Sequence, residues 1–368
     1  MKIGILTQPL CNNYGGILQN YALQTVLRQM GHDPVTLDIP TPEINGTWIH
    51  LGLSYGKRSL MKLFGNKCFL YADPITERQK NMDLAFKIKQ FVDKHIQRIV
   101  FYPPFAPSVC KYMQLDAYIV GSDQVWRPRY NRNLLNYFLD FAQDFHGKKV
   151  AYAASFGVDD WEMDPDTTNR ARILAQKFDK VSVREASGVD LCSKYLNTNA
   201  IHVLDPTFLL TPEQYLSLLG PSERQTQDPY IGVYVLDMSS KKRKILSEIS
   251  KRLKLPIVYI GQKNKKGFPS IEEWLTDIYH AQFMVTDSFH GTVFSIIFNK
   301  QFISIANSAR GSARFDSLLN LFNLHCRLID ETKPMLNILG SDINYQYLKT
   351  ILSNKRKESL QFLTNTLS

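Results

Sequence analysis

"KIGILTQPLCNNYGGILQNYALQTVLRQMG" occupies residues 2–31, and "PVTLDI" follows at 34–39. A short apolar run gives way to the turn-like "QPLCNNYGG". Then Ile17, Leu18, Tyr21, Ala22 and Leu27 recur at helical spacing until Gly31 stops the pattern. "PVTLDI" resumes as a strand, so the stretch predicts a β-loop-α-β unit and an α/β fold.

Further along, "AYIVG", "KVAYAAS", "KVSVRE" and "IHVLD" are similar short apolar runs, with helix-like segments such as "TTNRARILAQKF" between them. The first half therefore predicts a parallel sheet wrapped by helices. The second half repeats the theme in "YIGVYVL", the basic helix "KKRKILSEISKRL", "PIVYIG", "IEEWLTDIYHA", "FMVTD", "GTVFSIIFN" and "QFISIA". Between them, "LLTPEQYLSLLGPSERQTQDP" is rich in polar and turn residues. The expected domains are 1–208, 209–340 and a helical segment 341–368 that could cross back onto the first. Two parallel sheets facing each other would gather their C-terminal strand ends around one cleft, where open α/β sheets bind ligands.

The 368 residues include 44 Lys+Arg against 34 Asp+Glu, a net charge of +10. That balance favours anionic partners such as phosphates or an anionic membrane face. A nucleic-acid binder is not expected, because no recognisable binding motif accompanies the charge. Cysteines 11, 68, 110, 192 and 326 are scattered and odd in number, with no Cys-x-x-Cys pair. They fit a reduced cytoplasmic compartment. No run approaches the roughly 20 apolar residues that cross a bilayer, so membrane contact is expected to be peripheral, at the inner face. Residues 48–72 mix Trp, Leu and Phe with Lys57, Arg58, Lys62 and Lys67, and could touch anionic lipid or be a solvated basic loop.

Candidate chemistry collects at the ends of the predicted strands. Asn13, Tyr14, Gly15 and Gly16 precede a helix whose free N–H groups can hold an anion; the stretch is neither G-x-G-x-x-G nor a Walker loop. "VGSDQVWRP" brings Ser122, Asp123, Gln124, Trp126 and Arg127 to a strand end, and "AYAASFG" brings Ser155. Arg184 follows the next strand, Lys263 and Arg310 follow later ones, and Arg314 lies just beyond. The cations outnumber the acids there, which favours an anionic ligand over a metal cage. In "TDSFHGTVFSIIF" (286–298) a strand ends, Asp287 and Ser288 can cap, and Gly291 opens a helix. His290 then sits beside a positive helix end, which disfavours imidazolium and leaves a ring able to trade protons near neutral pH.

"NYGGILQNYALQ", "VGSDQVWRP", "YAASFG", "VSVREASG", "VLDPTFLL" and "TDSFHGTVFSIIF", in this order, resemble the polysaccharide pyruvyl transferase family. The resemblance implies a GT-B-like fold of two Rossmann-like domains. It also implies transfer of a pyruvyl group from phosphoenolpyruvate to a sugar, usually as a cyclic ketal, in capsule, exopolysaccharide or cell-wall assembly. On this expectation His290, Asp287 and Asp123 are catalytic, and Arg184, Arg310, Lys263, Ser288 and Gly291 hold the donor. Asn13, Tyr14, Gly15, Gly16, Ser122, Gln124, Trp126, Arg127 and Ser155 hold the acceptor. The acceptor is expected to be a polyprenyl-diphosphate-linked saccharide, with neither metal nor cofactor needed. Some family members carry Arg-Leu before the His-Gly pair; this chain has Ser288 and Phe289, leaving open which cation replaces that arginine. A nucleotide-sugar glycosyltransferase is the alternative, because the same two-domain cleft suits a diphosphate sugar.

Overall fold

The computed structural model describes residues 1–39, 85–101, 113–131, 133–220, 228–264, 267–306, 311–332 and 339–368. Strands β1 (Lys2–Leu6), β2 (Asp33–Asp38), β3 (Arg98–Val100), β4 (Ala117–Val120), β5 (Lys148–Ala154), β6 (Lys180–Val183) and β7 (Ala200–His202) form one sheet in the order β3-β2-β1-β4-β5-β6-β7. Strands β8 (Ile231–Tyr234), β9 (Ile257–Tyr259), β10 (Phe283–Thr286), β11 (Gln301–Ile305) and β12 (Leu328–Ile329) form a second, ordered β12-β11-β10-β8-β9. Every pairing in both sheets is parallel. The opening stretch folds as read: β1, helix α1 (Tyr14–Gln29), then β2. β3 and β12, of three and two residues, lie outside the strands the sequence predicts, because runs so short carry no periodicity.

Helices cover the sheets: α2 (Phe86–His95), α3 (Pro165–Ala175), α4 (Ala186–Leu191), α5 (Pro212–Leu216), α6 (Ser240–Leu253), α7 (Ile271–His280), α8 (Phe289–Ile297), α9 (Ala313–Leu321) and α10 (Tyr345–Leu367). Their starts follow local side-chain chemistry. Asn13 accepts from Gly16 N at 3.1 Å to cap α1, and Ser239 accepts from Lys242 N at 3.0 Å to cap α6. At α7, Ser270 and Glu273 form a reciprocal capping box.

Strand order reverses direction between β1 and β4 in the first sheet and between β8 and β10 in the second. At these switch points neighbouring crossovers leave on opposite faces and open a crevice beyond the strand ends. The two crevices face each other. One apolar cluster then runs through both lobes, from Ile17 and Leu18 of α1 through Phe208 and Tyr215 to Trp274, Phe294 and Leu363. Tyr14 stacks on Trp274 with ring centroids 5.4 Å apart, and its hydroxyl donates to Pro269 O at 2.8 Å.

Helix α10 returns to the first lobe. Phe362 packs against Tyr152, Arg356 Nε donates to Phe208 O at 2.7 Å, and Ser359 Oγ accepts from Leu204 N at 3.0 Å. Phe362→Ala should cost about 3–5 kcal/mol, because a buried aromatic leaves a cavity. Tyr347→Ala, on the exposed side of the same helix, should stay within about 0.5 kcal/mol. Urea unfolding of both variants checks this; equal losses would mean α10 is not anchored through Phe362.

Candidate active site

The four loops at the switch points share one cleft of about 610 Å³. Asn12 and Asn13 follow β1, Asp123 and Gln124 follow β4, Leu236 and Met238 follow β8, and Asp287 and Ser288 follow β10. His290 and Arg314 complete its chemically active lining, and Tyr234, Ile260 and Phe268 supply an apolar side.

The turn after β4 departs from ordinary strand geometry. Gly121 has φ +117° and a Cβ there would lie 2.2 Å from Tyr152 O, so only glycine fits. Asp123 follows with φ +71°, which turns its buried carboxylate back under the cleft. Asp123 Oδ1 accepts from its neighbour Gln124 N at 2.9 Å and from Arg184 Nη2 at 3.1 Å, and Asn13 Nδ2 donates to Oδ2 at 3.3 Å. Arg184 Nη1 donates to Asp205 Oδ2 at 2.6 Å. Asp205 Oδ1 accepts from Thr207 N at 3.0 Å and from Thr207 Oγ1 at 2.6 Å. Across the lobe interface, His290 Nε2 lies 3.6 Å from Asp205 Oδ2.

Burial alone would push the Asp205 carboxyl up, but the adjacent His290 ring and then the Arg184 charge outweigh it and hold it well below the usual carboxylate range. Asp123 is lowered in the same way, with Arg184, His290 and Arg314 overcoming its desolvation. Arg314 shows the opposite balance: burial, reinforced by the like charge of Arg184, brings its guanidinium down to about 10. Phe289 lies between the two arginines, its ring centroid 4.5 Å from the Arg184 guanidinium carbon and 5.5 Å from that of Arg314.

His290 is 6% exposed and lines the cleft. Its ring lies against the first turn of α1, where a Cβ on Gly15 would fall 2.0 Å from Nδ1. Gly15 is therefore the space that lets the second lobe's histidine sit on the first lobe. Gly16 lets Asn13 and Asp123 close on the same turn, since its Cβ would stand 2.7 Å from Asn13 Nδ2.

The structure brings His290, Asp123, Ser288, Asn13, Tyr14 and Gln124 to the cleft. It redirects several other expected site residues. Asp287 also lines the cleft, and its carboxylate accepts from Leu236 N at 2.6 Å, Asp237 N at 3.2 Å and Lys242 Nζ at 2.7 Å, fixing the loop after β8. Asp205, quoted only within "VLDPTFLL", stands behind the imidazole. Arg184 is not on the cleft surface, because two buried carboxylates hold its guanidinium; among the described residues Arg314 is the arginine that lines the cleft. Trp126 is fully buried and stacked on Phe138, and Ser122 and Ser155 are sealed beneath the strand ends. Arg127 points away to pair with Glu162 at 3.0 Å. Lys263 is exposed above Phe268 on the rim. Tyr14 spends its hydroxyl on Pro269, and Gly291 N donates to Ser288 Oγ at 3.4 Å, the N-cap bond of α8. Arg310 and residues 48–72 lie outside the described residues. Among the described residues no group of three or more His, Cys, Asp or Glu side chains gathers to hold a metal ion. None of the described helices is long and apolar enough to cross a membrane.

Two lobes of parallel sheet with a shared cleft make this a GT-B-like protein. A putative UDP-N-acetylglucosamine 2-epimerase from Listeria monocytogenes superposes with a TM-score of 0.51 at 10% identity, over 98% of this chain and 89% of that one. Two others are more distant. The UDP-GlcNAc 2-epimerase of Methanocaldococcus jannaschii gives 0.45 at 13% identity over 97% and 93% of the chains. The glycosyltransferase SsfS6 of Streptomyces sp. SF2575 gives 0.47 at 10% identity over 99% of each chain. The first of these likenesses supports the fold. No curated protein matches the sequence significantly. The description of the polysaccharide pyruvyl transferase family matches residues 13–309, most of the chain. The chain belongs to that family and is an enzyme.

The buried network sets an acid response. A carboxyl whose folded value is depressed stabilises fully above its unfolded value, about pH 4, and loses that contribution as pH falls further. Asp205→Asn leaves Arg184 half-compensated and should cost about 3–5 kcal/mol at neutral pH. Urea unfolding from neutral pH downward should show the gap between parent and variant narrowing below about pH 4. A gap that stays constant into acid would contradict the assignment.

Proposed function

We propose that the enzyme transfers the pyruvyl group of phosphoenolpyruvate to a hydroxyl pair of a sugar, forming a cyclic ketal on a lipid-linked saccharide precursor. The observation that carries this reading is the pairing of His290, backed by Asp205, with the desolvated cation Arg314 on one cleft wall. A planar guanidinium on the cleft wall suits an anion, and phosphoenolpyruvate offers a carboxylate and a phosphate. The first turn of α8 adds free backbone N–H groups beside Ser288 and His290.

The donor's enol carbon must take up a proton before its neighbour becomes electrophilic. With Nε2 turned toward Asp205, His290 delivers that proton through Nδ1, and Asp205 stabilises the imidazolium that precedes delivery. One sugar hydroxyl then bonds to the cationic carbon and returns its proton to His290. Inorganic phosphate departs with its bridging oxygen, breaking the carbon–oxygen bond at the carbon the hydroxyl has just attacked. The second hydroxyl closes the ketal, and its proton leaves with the phosphate. Asp123 and Asn13, on the first lobe's side of the cleft, are the groups this reading assigns to the acceptor hydroxyls.

Phosphate release from phosphoenolpyruvate and a lipid-linked acceptor tests the chemistry. His290→Ala should lower kcat by about 10²–10⁴-fold with the fold retained; unchanged turnover in a folded variant would remove His290 from the reaction. Arg314→Ala should raise the donor KM at least about tenfold and leave the acceptor KM nearly alone. An effect confined to the acceptor would move Arg314 to the other subsite. In a thermal-shift measurement, phosphoenolpyruvate should raise the unfolding temperature. Stabilisation by UDP sugars and not by phosphoenolpyruvate would instead assign the cleft to a nucleotide-sugar glycosyltransferase.

A further inference from the structure

We propose that the outward face of α6, with the adjoining edge strand β9, is a docking surface for an anionic lipid bilayer. The helix sequence "SKKRKILSEISKRL" contains one acid, Glu248, and six Lys or Arg. Lys242 is buried against Asp287, and Arg252 is paired with Glu248. Lys241, Arg243, Lys244 and Lys251 remain exposed, and Lys254 continues the surface at the helix end. The apolar side, Ile245, Leu246 and Ile249, packs on Ile231 and Val233 of the sheet, so the helix is seated on that face and its cations other than Lys242 are exposed.

The neighbouring strand extends this face. Among the described residues β9 pairs only with β8, at the end of the sheet. Tyr259 is in register with Val233, so it stands on the sheet face that α6 covers, and it is 44% exposed. An aromatic ring beside a row of cations is the composition that lies at a lipid headgroup boundary. The position in the fold also matters. Directly after β9, Ile260, Gly261 and Gln262 line the cleft, and the first turn of α6 follows the cleft loop after β8. A bilayer on this face would meet the cleft mouth at the surface where a lipid-linked substrate is presented.

Each Lys or Arg near an anionic surface contributes about 1 kcal/mol, or roughly fivefold in partitioning, so three side chains account for about 100-fold. The test is co-sedimentation of the full-length protein with vesicles of phosphatidylcholine alone, or with about one-third phosphatidylglycerol. The parent should bind only the anionic vesicles, and less as salt rises. Lys241→Glu, Lys244→Glu and Lys251→Glu together should lower binding by about 100-fold or more. Arg170→Glu, Lys177→Glu and Lys180→Glu make the same charge change on exposed sites of the first lobe and should stay within about twofold of the parent. Equal losses in the two triple variants would mean that net charge alone drives binding and would overturn the proposal, as would a parent that ignores anionic vesicles. Tyr259→Trp gives a second readout: its emission should shift to the blue on anionic vesicles, and unshifted emission from bound protein would exclude β9 from the contact. No substrate is present, so failure here leaves the proposed reaction standing, and failure of that reaction leaves this surface standing.

Discussion

A guanidinium buried where three chain segments meet is the constraint on which the rest of this structure depends. Arg184 leaves the end of β6 and is held by Asp205 beyond β7 and by Asp123 beyond β4. Removing such a charge from water is costly, and the cost is met only when both carboxylates are in place. The left-handed turn at Asp123 and the Thr207 bonds to Asp205 therefore belong to the same arrangement. The second lobe closes it by laying Phe289 on the guanidinium and His290 beside Asp205.

That closure explains why the lobes share a core instead of meeting across a wet interface. Tyr14 and Trp274 stack at the entrance of α1, and Gly15 leaves no side chain between α1 and the imidazole. Gly311 repeats the device on the other side, its φ of +88° and missing Cβ allowing it to meet Gly157 O. A histidine fixed in this way is held by both lobes, so a change in their relative position would change its distance from Asp205.

The charges within the cleft divide by depth. Arg184 is neutralised by two carboxylates, whereas Arg314, also buried, lines the cleft with its guanidinium brought down by burial and by the like charge of its neighbour. The first cation organises the acids and the second borders the cleft. Asp287, which looks catalytic from its place beside the histidine, instead pairs with Lys242 and joins α6 to the cleft floor.

The sequence by itself determined the α/β class, two parallel sheets, the strand-end placement of His290 and Asp123, and the family, because apolar periodicity and short ordered motifs are local properties of the chain. β3 and β12 escaped, being too short to show a period. Which polar groups meet was decided only by tertiary structure. Asp205 and His290 are 85 residues apart (290 − 205), and Trp126, Arg127 and Arg184 occupy strand ends indistinguishable in sequence from those that reach the cleft. Whether such a side chain turns into the crevice, down into the core or toward another ion is set by sheet order and by the desolvation cost of leaving a charge unpaired, and both exist only once the chain has folded.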